Sequence, residues 1–208
     1  MVLRGVELTA FAAITDAIET GPALLDIYSN YCHALLSLSG MAISGNLDTD
    51  ILEVFQDIPH YFGMNRRADE GSPAFGDSII ARLVVTHASV EKAEDHLDRE
   101  GKLVCELTVT EDMLNGRGTV HGGCSALLVD VCSSLALFVL QPEIPSVSSS
   151  MNVVYHSPAT VGETLRIVNS TIAVGARAMS ARTEIWSATK NRLVASAIQI
   201  MVQPSAKL

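Results

Sequence analysis

Along this chain the spacing of apolar residues changes period several times, and each change predicts an element. Residues 6–40 carry apolar positions at helix-compatible spacing, broken at Gly21-Pro22, which predicts two short helices. A further helix is expected from Asp50 to Phe62, with Asp48 or Thr49 as its cap. Gly63–Gly76, rich in Gly, Arg and Asp, predicts a loop, and Ile79–Val85 a strand. In Lys102–Thr110 the period is two: Leu103, Cys105, Leu107 and Val109 fall on one face, Glu106, Thr108 and Thr110 on the other. Four more strands are expected at Val147–His156, Glu163–Val174, Ala178–Trp186 and Leu193–Gln203, with turns at Pro158/Gly162, Gly175 and Lys190-Asn191. No long crossover joins these four, so the pattern predicts an α+β domain whose antiparallel sheet wraps around the helix that precedes them.

That helix holds the first chemical signal. In the 25 residues from Gly118 to Pro142 a single side chain, Asp130, carries a formal charge. A helix apolar on nearly all sides is expected to be buried. A carboxylate inside it is costly unless paired or hydrogen-bonded. Asp130 is therefore a candidate functional group, the alternative being an Asp satisfied by backbone or water.

Composition narrows the classes. Nearly half of the 208 residues are apolar and 18% are charged, which implies a folded chain with a real core. The net charge of −9 argues against nucleic acid as a main partner but leaves room for a phosphorylated small ligand held by local arginines. The four cysteines form no C-x-x-C pair, and Cys105, Cys124 and Cys132 are expected in the core, as in a reducing compartment. The six histidines lack metal-ligand spacing, so no metal is expected. Ile27–Leu47 is too polar for a membrane span, and Asp16 and Glu19 interrupt the early apolar segment where a secretory signal would lie. No G-x-x-x-x-G-K-[ST], G-x-G-x-x-G or G-x-S-x-G motif occurs, which argues against ATP-dependent ligation, nicotinamide chemistry and serine-hydrolase chemistry.

Asn115-Gly-Arg-Gly-Thr-Val-His-Gly-Gly123 leads into the helix. Glycines 122 and 123 leave backbone N–H groups open at its N-terminus, where they and the helix dipole suit a developing oxyanion. Asn115 adds a possible amide donor. Asp130 lies eight residues past Gly122, about 12 Å of helical rise, too far to act on the same atom within one chain. A second copy could bring its Asp130 to the first copy's loop, a geometric motive for a site at a dimer interface.

Asn-x-x-Gly-x-x-His-Gly-Gly, followed by a helical Asp seven residues after the last glycine, resembles the hotdog-fold acyl-CoA thioesterases of the phenylacetate-thioesterase and thioesterase superfamily member 2 type. The likeness continues through Val147-Ser-Ser-Ser-Met-Asn-Val-Val-Tyr-His-Ser-Pro-Ala-Thr-Val-Gly-Glu163. It implies a hotdog domain over 77–203; the helical pattern and loop over 1–76 read as an N-terminal extension packed on that domain or as an oligomer contact, and 204–208 as a tail. It further implies hydrolysis of acyl-CoA to free acid and CoA, with no cofactor besides the CoA of the substrate, by a homodimer or a dimer of dimers. Asp130 would be general base or nucleophile, Gly122 N–H and the Asn115 amide would polarise the thioester carbonyl, and Ser148 would position the attacking water. By alternation Ser148 and Ser150 share a face. His121, anchoring the loop, and Gly123 would line the substrate site, while Arg117, Arg177 and Arg182 are the candidates to meet CoA phosphates. Two other readings stay open: a hotdog hydratase or dehydratase using His121 as base, and an acyl-CoA-binding module without turnover.

Ala206-Lys207-Leu208 resembles the C-terminal Ser-Lys-Leu peroxisomal address. The expectation is recognition by the peroxisomal import receptor and a place in lipid metabolism, with the cytoplasm as alternative.

Overall fold

The computed structural model describes residues 42–64, 74–92, 99–142 and 145–204. The two helices expected within 6–40, most of the loop at 63–76, and Ala206-Lys207-Leu208 lie outside the described residues. Apart from Ala42, all described residues belong to one compact unit, Ile43–Leu208.

The long helix α4 is Gly122–Leu140, and the described strands form one sheet around it. In chain order they are β1 (Ser44–Gly45), β2 (Val84–Glu91), β3 (Glu100–Thr108), β4 (Val147–Tyr155), β5 (Thr164–Val174), β6 (Ala178–Ser187) and β7 (Arg192–Val202). Their spatial order is β1-β2-β3-β5-β6-β7-β4, antiparallel throughout except for the two-residue β1, which runs parallel to β2. A sheet curled about one central helix is the hotdog fold, as the sequence implied.

The inner sheet face packs on α4. Leu103 and Cys105 on β3, Leu165 and Ile167 on β5 and Ile185 on β6 are fully buried, as are Val129, Cys132 and Leu135 on the helix. The alternation read in β3 is therefore the burial pattern observed. Leu135 is fully buried in the core, and Leu135→Ala is expected to lower unfolding free energy by about 2–5 kcal/mol, read from the urea midpoint. The helix has the length and apolarity of a membrane span, yet it carries Asp130 and most of it is buried against the sheet, as a core helix would be.

Three local expectations are corrected. The helix expected at Asp50–Phe62 is two helices, α1 (Thr49–Gln56) and α2 (Ile58–Tyr61). Asp57 interrupts them by accepting the His60 N–H, and Pro59 has no N–H with which to continue the first helix. Residues 77–80 are a helical turn, α3 (Asp77–Ile80), with the strand beginning at Val84. Asp77 accepts the Ala74 N–H, and the consecutive Ile79 and Ile80 are both buried, which a half-buried strand does not allow. The rings of Phe55 (α1) and Tyr61 (α2) then pack edge-on against Phe138 near the end of α4.

The third correction concerns Asp130, which is half-buried rather than enclosed. Gly122, Ala126, Asp130 and Ser134, spaced by four, form a row that the described residues leave partly open. The sheet covers much of the rest of the helix, with α1 and α2 packed on Phe138.

Candidate active site

The loop before α4 is shaped by its own polar groups. Asn115 N–H donates to the Thr119 carbonyl at 2.8 Å, and Gly118 N–H to the Asn115 carbonyl at 3.0 Å. Gly118 takes a left-handed φ of 74°, a conformation glycine adopts without cost. The Asn115 side chain turns inward: Oδ1 accepts from Arg117 N–H at 2.8 Å, and Nδ2 donates to Thr119 Oγ1 at 3.0 Å. One Nδ2 hydrogen stays available to another acceptor.

His121 caps the helix. Its Nδ1 accepts the Gly123 N–H at 2.9 Å, and its carbonyl accepts from Cys124 and Ser125. The ring satisfies one of the amides that a helix start leaves orphaned. His121→Ala is therefore expected to cost about 1 kcal/mol of stability, measured by urea unfolding. The Gly122 N–H finds no acceptor among the described residues. Tyr155 Oη donates to the Gly122 carbonyl at 3.1 Å, and a Cβ at Gly122 would meet the Tyr155 ring at 3.3 Å. A cleft of about 320 Å³ opens beside this contact, lined by Val120, Gly122, Ser125, Tyr155, Pro158 and Ala159 among others.

Asp130 is held from the sheet. Its Oδ1 accepts Ser148 Oγ–H at 2.5 Å and Gln199 Nε2–H at 2.5 Å. Gln199 Nε2 also donates to Ser148 Oγ at 2.7 Å, and Gln199 Oε1 accepts Ser133 Oγ–H at 2.5 Å. Three elements thus converge on one carboxylate: α4, β4 and β7.

Ser150 does not share the face of Ser148. A β-bulge between Ser148 and Ser150 sets Ser148 opposite the buried Met201 and Ser150 opposite the exposed Ile200. The extra residue in the bulge reverses the alternation read from sequence. Of the arginines, Arg117 is exposed in the loop with Asn115, and Arg177 is exposed at the β5–β6 turn. Arg182 sits on the outer sheet face opposite Ile198, whereas Asp130 reaches the inner face.

Two contributors escaped the sequence reading. One is Gln199, whose signal was a polar residue on the inward period of β7 between Ala197 and Met201. The other is a clasp behind the cleft. Glu163 is almost fully buried and bonds Thr160 Oγ1 (2.8 Å), Ser187 Oγ (2.5 Å), Lys190 Nζ (2.7 Å) and Arg192 Nη2 (3.2 Å). Arg192 also donates to the Pro158 carbonyl, fixing one wall of the cleft. Burial alone would push the Glu163 carboxyl up; the bonds from Lys190, Ser187 and Thr160 outweigh it and hold the group at about 2.

Cys124 lies in the first turn of α4, and burial pushes its thiol up to about 11, so it is protonated at neutral pH. Cys105, Cys124 and Cys132 are free and buried, as expected.

A hotdog sheet, an open glycine amide at the start of its helix and a carboxylate two turns further on define a class: hotdog enzymes acting on thioesters. Comparison with known proteins gives the family. The thioesterase superfamily model matches residues 117–194. Acyl-coenzyme A thioesterase 13 of Mus musculus is 33% identical over 123 residues, 59% of this chain and 80% of that protein. Crystal structures of thioesterase superfamily member 2 are similar too. The zebra fish protein has TM-score 0.53 at 30% identity, over 66% of this chain and 92% of that one. The Mus musculus protein has TM-score 0.55 at 26% identity, over 75% and 98%. The chain belongs to the thioesterase superfamily.

Proposed function

We propose that the protein hydrolyses acyl-CoA thioesters to a carboxylic acid and CoA, with Asp130 as general base. The carrying observation is the asymmetry of the Asp130 carboxylate: Oδ1 is occupied by Ser148 and Gln199, while Oδ2 has no partner among the described residues. In this reading Oδ2 accepts a proton from water as its oxygen adds to the thioester carbonyl. The oxyanion rests on the Gly122 N–H and the remaining Asn115 Nδ2 hydrogen. The C–S bond then breaks, and the departing thiolate recovers the proton from Asp130. A thioester needs little more than a base and an oxyanion site.

The two halves come from two copies of the chain. Within one copy the helical rise separates them, by about 12 Å. β4 supports the pairing: among the described residues it bonds only β7 and its other edge is free, and eight of its nine residues are exposed, so it is a strand built to be covered. Pairing β4 with the β4 of a second copy would lay the open row of one α4 beside the loop of the other. His121 favours hydrolysis over a hydratase reaction, because its Nδ1 is committed to the helix cap.

The test is thiol release from short, medium and long acyl-CoAs, with mass measured by light scattering. Release by an oligomer supports the reading. A panel without release would overturn it, and full activity in a strictly monomeric protein would overturn its two-copy form.

A further inference from the structure

We propose that Gln199 is a positioning residue that selects Oδ2 of Asp130 as the reactive oxygen. The proposal rests on the reading of Asp130 as the base. Gln199 is fully buried on the inner face of β7, where its neighbours on the same face, Ala197 and Met201, are apolar. An amide there is costly unless all its bonds are made. They are: Oε1 takes the Ser133 hydroxyl, and the two Nε2 hydrogens go to Asp130 Oδ1 and Ser148 Oγ. Packing alone would be served by an aliphatic side chain, so the amide is explained by what it holds.

The orientation of the amide follows from the charge beside it. Turned over, Gln199 would set its carbonyl oxygen against the Asp130 carboxylate, two acceptors facing each other. The Ser133 hydroxyl, one helical turn from Asp130, completes the arrangement from the carbonyl side. The torsion that swings a carboxylate is otherwise broad and two-fold, so either oxygen could point at the substrate. With Gln199 and Ser148 both on Oδ1, the carboxylate is pinned and Oδ2 is left to take a proton. Ser148 is fixed by the same contact: it accepts from Gln199 and donates to Asp130, so its proton is committed to orienting the base.

The test uses the full chain and Gln199→Met, which keeps side-chain length and removes both donors. With an acyl-CoA that the wild type hydrolyses, kcat is expected to fall roughly 10- to 100-fold, the worth of a hydrogen bond to a charged group, with KM changed less than about twofold. In an Asp130→Ala background the same substitution should leave the residual rate unchanged. Urea midpoints of wild type, both single variants and the double variant give a reading independent of activity. The double variant should lose less than the sum of the singles, because the two side chains touch. Equal kinetic losses in both backgrounds, or additive midpoints, would overturn the proposal. If Gln199→Met does not fold, Ser133→Ala replaces it: it removes the donor that anchors Gln199 Oε1 and so loosens the amide against Asp130, and it should lower kcat by a smaller factor at constant KM, while unchanged kcat would count against the proposal. A wild type without thiol release refutes the hydrolase reading instead, and the unfolding cycle then decides the Gln199–Asp130 contact by itself.

Discussion

Asp130→Asn is expected to reduce kcat/KM for acyl-CoA hydrolysis by ~10²–10⁴-fold, the usual worth of a positioned general base. Asn has nearly the size of Asp and still offers an oxygen to Ser148 and Gln199, so the packing around it survives. What it loses is the ability to take a proton from water. Because Asp130 is only half-buried, the substitution leaves no enclosed group without a partner, and the urea midpoint should stay close to wild type. Thiol release and urea unfolding on the same preparation test both halves of this expectation. A folded Asp130→Asn protein with turnover within about tenfold of wild type would remove Asp130 as the base.

The second large effect is on stability. Glu163→Ala is expected to cost about 2–4 kcal/mol, because it strands the Arg192, Lys190, Ser187 and Thr160 groups that converge on the carboxylate. The figure is set below that of a fully enclosed ion pair because Arg192 and Lys190 are themselves part-exposed. The pH dependence follows from a folded-state value of about 2 against an ordinary 4.5. The folded state binds fewer protons than the unfolded one in that interval, so the Glu163 contribution is fully present above about pH 4.5 and is lost as pH falls through about 2. Wild type and Glu163→Ala should therefore differ most at neutral pH and converge in acid. A constant gap between their midpoints from pH 7 to about 2 would contradict the clasp.

From Glu100 onward, strand and helix boundaries were legible to within a few residues, because there the apolar period is clean and glycine, proline or asparagine marks the turns. Asn191, at φ 49°, is one such mark. Ahead of that point the reading failed wherever a side chain decided the backbone, as when Asp57 and Pro59 split a helix and Asp77 turned an apparent strand into a helical turn. The loop from Asn115 to Gly123 and the Asp on the helix were visible as residues, but their geometry was not. Three adjacent serines look alike in sequence, and nothing in Ser148-Ser-Ser150 announces the bulge that sends the first inward and the last outward. Gln199 stayed hidden for a different reason. Its importance lies in two partners 51 and 69 residues away, and only the strand order brings them together.

That strand order also dictates a sequence of assembly. β5, β6 and β7 form a meander joined by short turns and can pair as soon as each is made, whereas β4, the next strand after the helix, pairs among the described strands only with β7, the last of them in sequence. Closing that pair spans the whole meander and ranks among the slow, non-local steps of folding. Ser148 and Gln199 meet Asp130 only when it closes. A chain emerging during synthesis thus presents its helix and loop before the last strand is made, and the contacts that orient the Asp130 carboxylate arrive with that strand.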